Sequence, residues 1–123
     1  MTTEIVLDAL KSAVESQNPS PGLIMHTDLG TQYTSEAFQG QLKKYEMIAS
    51  FSRKGCPYDN ACIESFHATL KKEEVYQKRY EYFENARISL FQYIEGWYNR
   101  KRIHGSIGFV TPEAYEIMCC AAA

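Results

Sequence analysis

The chain has 123 residues, 45% of them hydrophobic and 23% charged, a composition that excludes intrinsic disorder and allows one domain, residues 1–123, with a modest core. No apolar run approaches the roughly 20 residues of a membrane span and no signal peptide precedes Thr2, so a cytoplasmic, non-membrane protein is expected. A net charge of −2 argues against a protein whose affinity rests on blanket attraction to phosphates.

In chain order, Thr2 and Thr3 can cap a first helix whose apolar positions Val6, Leu7, Leu10 and Val14 recur at helical spacing. Asn18-Pro19-Ser20-Pro21-Gly22 should end it. The short apolar run Leu23-Ile24-Met25 reads as a buried strand ending at His26-Thr27-Asp28, followed by a loop at Gly30 and Thr31. Thr34 or Ser35 can cap a second helix with Phe38, Leu42 and Tyr45 on one face, and residues 47–51 read as a second strand. Residues 52–58 form a loop by composition, and Asp59 is placed to cap a third helix over 60–79 with Ile63, Phe66 and Leu70 as its apolar face. A fourth helix is expected over 84–104, with Leu90, Phe91, Ile94, Trp97 and Tyr98 inward and Gly105 as its stop. Thr111-Pro112-Glu113 starts a last helix. This order indicates an α/β fold whose two strands are parallel, because a helix joins them. Two short strands are too few for a complete sheet.

The charges are unevenly spread. The first fifty residues carry a net −3, while residues 51–105 hold ten basic and seven acidic residues. An acidic front beside a basic middle suits an enzyme that collects metal in one place and phosphate in another, although solvated helix faces give the same pattern. Cys56, Cys62, Cys119 and Cys120 have neither zinc-site nor redox spacing and read as incidental thiols.

Asp28 lies just past the end of a strand, where open α/β sheets carry their ligand-binding groups. At 100° per residue, Asn60, Glu64 and Lys71 fall within about 40° of one another on the third helix, roughly 110° from its apolar face. Carboxylates so placed suit hard cations such as Mg²⁺, and two such ions can drive an in-line displacement at phosphorus. Stripe geometry alone leaves Lys71 equally an exposed lysine or a grip on a phosphate backbone. Arg53 and Lys54, in a glycine-containing loop before this helix, are candidates for phosphate contacts. His26 and His67 are weaker candidates, better read as packing residues. Tyr33, Tyr58 and Trp97 could stack on bases, with Trp97 read as core.

Thirty-five residues separate Asp28 from Glu64, and Lys71 follows seven residues later. That spacing resembles the D,D(35)E class of DDE transposases and retroviral integrases. Residues 26–35 (HTDLGTQYTS) are similar to the H-S-D-x-G-x-Q-Y segment of bacterial insertion-sequence transposases of the orfB type. Ser52-Arg53-Lys54-Gly55, Tyr58-Asp59-Asn60-Ala61 and Glu64-Ser65-Phe66 resemble the loop and helix bearing that family's glutamate. Residues 97–104 (WYNRKRIH) resemble its Y-N-x-x-R-x-H segment and Thr111-Pro112-Glu113 its closing T-P-x-x-Y.

The resemblance implies a ribonuclease-H-like fold of the retroviral integrase superfamily and metal-dependent polynucleotidyl transfer on DNA. Water would cleave at the element's end, and the freed 3′-hydroxyl would attack target DNA. It makes Asp28 and Glu64 catalytic ligands of a two-metal site for Mg²⁺ or Mn²⁺. Lys71 would contact DNA near the reacting end and Asn60 would line the site. The family's first acid lies on an opening strand that has no counterpart here, so the expectation is a truncated core lacking the first three strands and inactive alone. A partner strand would then be missing from the Leu23–Met25 edge, which predicts self-association. The alternative is a non-catalytic DNA-binding or assembly module from a truncated transposase. One further departure is Glu46, which stands where the family commonly has a helix-ending glycine.

Overall fold

Helix α1 (Thr3–Gln17) forms where the apolar residues keep helical spacing, and it buries Val6 and Leu10. Its end is the one the sequence predicts: Asn18 turns left-handed at φ 44° and donates its N–H to the carbonyl of Val14. Thr2 precedes the helix in extended conformation, but its hydroxyl makes no capping bond. Strands β1 (Ile24–Thr27) and β2 (Ile48–Phe51) pair in parallel, with Ile24 opposite Ile48 and Thr27 opposite Phe51. Helices α2 (Thr31–Thr34) and α3 (Glu36–Lys44) form the crossover that a parallel pair requires. Ser35 caps α3, its Oγ accepting the N–H of Phe38 at 3.2 Å.

The structure is a computed structural model and describes residues 1–122. Its packing is grouped into two compact units, Met1–Ser65 and Phe66–Ala123. In the first, Phe38 and Leu42 of α3 join Val6 and Leu10 of α1 as the buried core, with Met25 and Met47 at its margin. Burying each such side chain contributes about 1.5–3 kcal/mol. The filling is incomplete, and an apolar hollow of about 310 Å³ remains among Val6, Leu10, Leu23, Met25 and Phe38. Because side chains alternate along a strand, Ile24 and Ile48 face away from this core, where they are 63% and 55% exposed.

The division between the units falls within α4 (Ala61–Glu73). The sequence places a single helix over 60–79, but α4 stops at Glu73 and gives way to a 3₁₀ turn at Val75–Gln77. The cause is Glu74, whose φ of −121° leaves the helix and whose side chain is buried. Its carboxylate accepts hydrogen bonds from Tyr80 Oη (3.1 Å), Lys78 Nζ (3.0 Å) and the Ser89 hydroxyl. Burial pushes this carboxyl upward, but the bonds from Ser89, Lys78 and Tyr80 outweigh it and hold the group below its ordinary value.

Helix α5 (Phe83–Phe91) continues into a π-helical segment at Gln92–Tyr98 rather than the regular helix expected to residue 104. Asn99 N–H reaches back five residues to the Ile94 carbonyl at 2.9 Å, and Arg102 N–H likewise to Trp97. Tyr93 is buried, while Phe91 at the end of α5 and Trp97 in the π-helical segment are 65% and 48% exposed. The core reading of Phe91 and Trp97 is therefore corrected. Helix α6 (Pro112–Ala122) opens as expected, with Thr111 Oγ1 accepting Ala114 N–H at 3.2 Å. Among the described residues no helix is long and apolar enough to cross a membrane.

Candidate functional site

Asp28 follows the last residue of β1, and its Oδ1 accepts the Gly30 N–H at 2.8 Å. This short turn orients the carboxylate and leaves Oδ2 without a hydrogen-bond partner among the described residues. Gly30 cannot be enlarged without disturbing it. An added Cβ would lie 2.9 Å from Asp28 Oδ1 and 2.7 Å from Gln32 Nε2. His26, two residues earlier, is engaged at both ring nitrogens, by Ser50 Oγ at 2.9 Å and Ser52 Oγ at 3.1 Å. It ties β1 to β2 and the residue after it through these hydrogen bonds while itself remaining solvent-exposed, so it is a hydrogen-bonding residue at the strand end and not a packed one.

Beside Asp28 lies a cleft of about 370 Å³. Asp28 and Leu29 form one wall, and the loop after β2 forms the other through Arg53, Lys54, Cys56 and Asn60. Four of the predicted site residues are thus brought together: Asp28, Asn60, Arg53 and Lys54. Glu64 stands in the first turn of α4, solvent-exposed and outside the lining of this cleft. Lys71 is exposed in the last turn of α4.

Asp59 does not cap the third helix as expected. A 3₁₀ turn, Pro57–Asn60, precedes α4, and the Asp59 carboxylate faces backward to Arg53 instead. It accepts the Arg53 backbone N–H at 2.9 Å, Nε at 3.1 Å and Nη2 at 3.2 Å. The Arg53 side chain, then its backbone N–H, holds the Asp59 carboxyl below its usual range. A fork of two parallel bonds is the geometry in which guanidinium and carboxylate match best. Sequence reading missed this pair, although an Arg and an Asp flanking a glycine-containing loop were a usable signal. Of the aromatic candidates, Tyr58 is 90% exposed, whereas Tyr33 packs edge-on against Phe38 at 5.4 Å.

Among the described residues no group of three or more His, Cys, Asp or Glu side chains could hold a metal ion. The donors available near the cleft are carboxylate oxygens, Asp28 Oδ2 foremost, and both His26 nitrogens are occupied. Such a donor set suits a hard cation that keeps several waters, and does not suit a zinc cage. The basic middle of the chain also proves partly self-neutralised. Arg53, Lys78, Arg87, Arg100 and Arg102 pair with Asp59, Glu74, Glu84, Glu113 and Glu73. Lys54, Lys71, Lys72, Arg79 and Lys101 have no ion-pair partner among the described residues.

A parallel strand pair joined by a crossover of helices, with an acid past its carboxyl end, is a general α/β arrangement, and solved structures give the fold as ribonuclease-H-like. The chain superposes on the simian T-cell lymphotropic virus intasome in complex with PP2A regulatory subunit B56 gamma with a TM-score of 0.67. That match has 16% identity and covers 85% of this chain and 36% of the other. The catalytic core domain of BIV integrase gives 0.63 at 21% identity, over 98% of this chain and 75% of the other. At such identities the likeness establishes the fold alone. Two family profiles, both described as integrase core domain, match residues 45–112 and 1–57. The chain belongs to the integrase core domain family. It is 42% identical over 116 residues to the transposase for insertion sequence element IS904 of Lactococcus lactis subsp. lactis (strain IL1403), covering 94% of this chain and 46% of that protein. Identity to transposase InsF for insertion sequence IS3A of Escherichia coli (strain K12) is also 42%, covering 94% and 40%. The chain therefore spans less than half the length of these relatives.

Proposed function

We propose that these residues form the part of a transposase catalytic core that supplies two of its metal-binding carboxylates, Asp28 and Glu64, for cleavage of element ends and strand transfer into target DNA. The observation that carries this reading is Asp28 at the end of β1, one oxygen oriented by Gly30, facing a cleft walled by Lys54 and Asn60. Bound Mg²⁺ or Mn²⁺ would activate the attacking oxygen and stabilise the leaving one. The chain's own residues hold and orient. Asp28 and Glu64 offer carboxylate oxygens to the metal. Lys54 and Lys71, neither of them paired with an acid among the described residues, attract the phosphate backbone, and Asn60 lines the site. The exposed ring of Tyr58 is available to stack on an unpaired base. The protein would act on DNA in a bacterial cytoplasm.

Paramagnetic Mn²⁺ tests the metal reading without requiring turnover. Titrated into isotopically labelled protein, it should broaden the amide signals of residues 28–30 and 60–64, and Asp28→Asn and Glu64→Gln should each abolish the effect. Broadening that ignores both substitutions would remove the reading. A second reading, a DNA-binding or assembly module without catalysis, draws on the lack of a three-acid cluster among the described residues. It is distinguished by DNA binding that needs no divalent metal and survives Asp28→Asn.

A further inference from the structure

The loop between β2 and α4 closes on itself. Cys56 N–H donates to the Arg53 carbonyl at 3.1 Å, and Asp59 N–H donates to the Cys56 carbonyl at 3.1 Å. The Asp59 carboxylate then completes the ring by accepting the Arg53 backbone N–H and both arms of its guanidinium. Gly55, at φ 77°, makes the reversal within this ring. The carboxylate side chain is 22% exposed while the guanidinium is 77% exposed, so Asp59 is the enclosed partner and Arg53 folds over it. Lys54, within the ring, and Asn60, directly after it, line the cleft, as Arg53 itself does.

We infer that Arg53 and Asp59 are positioning residues, a clip that fixes the loop so that Lys54 and Asn60 face Asp28, and that Arg53 is not itself a phosphate contact. The inference rests on the DNA reading given above. A lysine at position 53 would keep the charge but lose the fork, because an ammonium cannot make two parallel bonds to one carboxylate. Charge and geometry can therefore be separated by substitution.

The test measures two quantities on the 123-residue chain and its variants: amide hydrogen exchange at Arg53, and affinity for a short duplex DNA as a function of salt. Far-UV circular dichroism confirms that each variant is folded. Asp59→Asn, Arg53→Gln and Arg53→Lys should each speed exchange at Arg53, by about tenfold where a charge-assisted bond is lost. All three should weaken DNA binding with an unchanged salt slope. Lys54→Gln should leave exchange alone and flatten the slope by about one unit, the signature of one lost phosphate contact. Unchanged exchange in Asp59→Asn would overturn the clip. An Arg53→Lys variant that keeps wild-type affinity, beside an Arg53→Gln variant with a flattened slope, would make Arg53 a phosphate contact after all. If the wild-type chain binds no DNA, the functional reading falls and the positioning role with it, while exchange still reports whether the clip exists.

Discussion

Asp28 and Gly30 act as one unit, since the carboxylate is aimed by an N–H two residues on and the space beside it is kept open by a missing Cβ. Gly30→Ala should therefore disturb the carboxylate with little effect on the fold. The Asp28 side chain must rotate away from a contact of 2.9 Å, and Mn²⁺ broadening at residues 28–30 should fall at least as far as in a conservative change of the acid. Metal titration checks this, and thermal unfolding should shift only slightly because Gly30 lies outside the buried core. At this scale the sequence was informative about identity and weak about partners. Asp28 was legible because a strand end and a spaced motif coincide there. Asp59 was misread because a carboxylate at that position can either cap the helix or pair with Arg53. The sequence offers both partners, and the choice between them depends on how the folded loop brings Arg53 round.

Elements follow the same division. Helix α1, both strands and the Ser35 cap were legible because each rests on neighbours in sequence: apolar spacing, a breaker, a hydroxyl three residues before an N–H. The ends of α4 and α5 were not, because a buried Glu74 and a π-helical turn are settled by residues as distant as Ser89. Glu46 is a case where the motif anticipated backbone strain. It follows α3 at φ 55°, in the left-handed region, while Met47 N–H closes the helix onto the Leu42 carbonyl at 2.8 Å. Left-handed backbone costs a non-glycine residue about 1–2 kcal/mol, and glycine's greater freedom when unfolded offsets about 0.5–1 kcal/mol of the relief. Glu46→Gly should stabilise the first unit by about 0.5–1 kcal/mol. Denaturant unfolding should show a raised midpoint at constant slope, and an unchanged or lowered midpoint would show that the left-handed turn carries no strain.

At the scale of the whole molecule, more large hydrophobic residues are exposed than buried among the described residues. Among the described residues five hydrophobic side chains are buried, while Ile24 and Ile48 stand adjacent and exposed on the outer face of a two-stranded sheet. Each strand also presents one edge with unpaired backbone groups, a template for pairing with another chain. Composition could not reveal this, because 45% hydrophobic residues describes a well-packed protein equally well. What decides it is how many strands cover one another, a property of the assembled sheet. The polypeptide of these residues should therefore self-associate, its sedimentation-equilibrium mass rising with concentration above that of one chain. Ile24→Lys and Ile48→Lys place charges on a face that is already solvated in the single chain, so neither should lower its unfolding free energy by more than about 0.5 kcal/mol. Both should shift the association to higher concentration. A mass that stays monomeric at every concentration would show that the hollow and the open face are tolerated in water, and association that ignores both lysines would place the interface elsewhere.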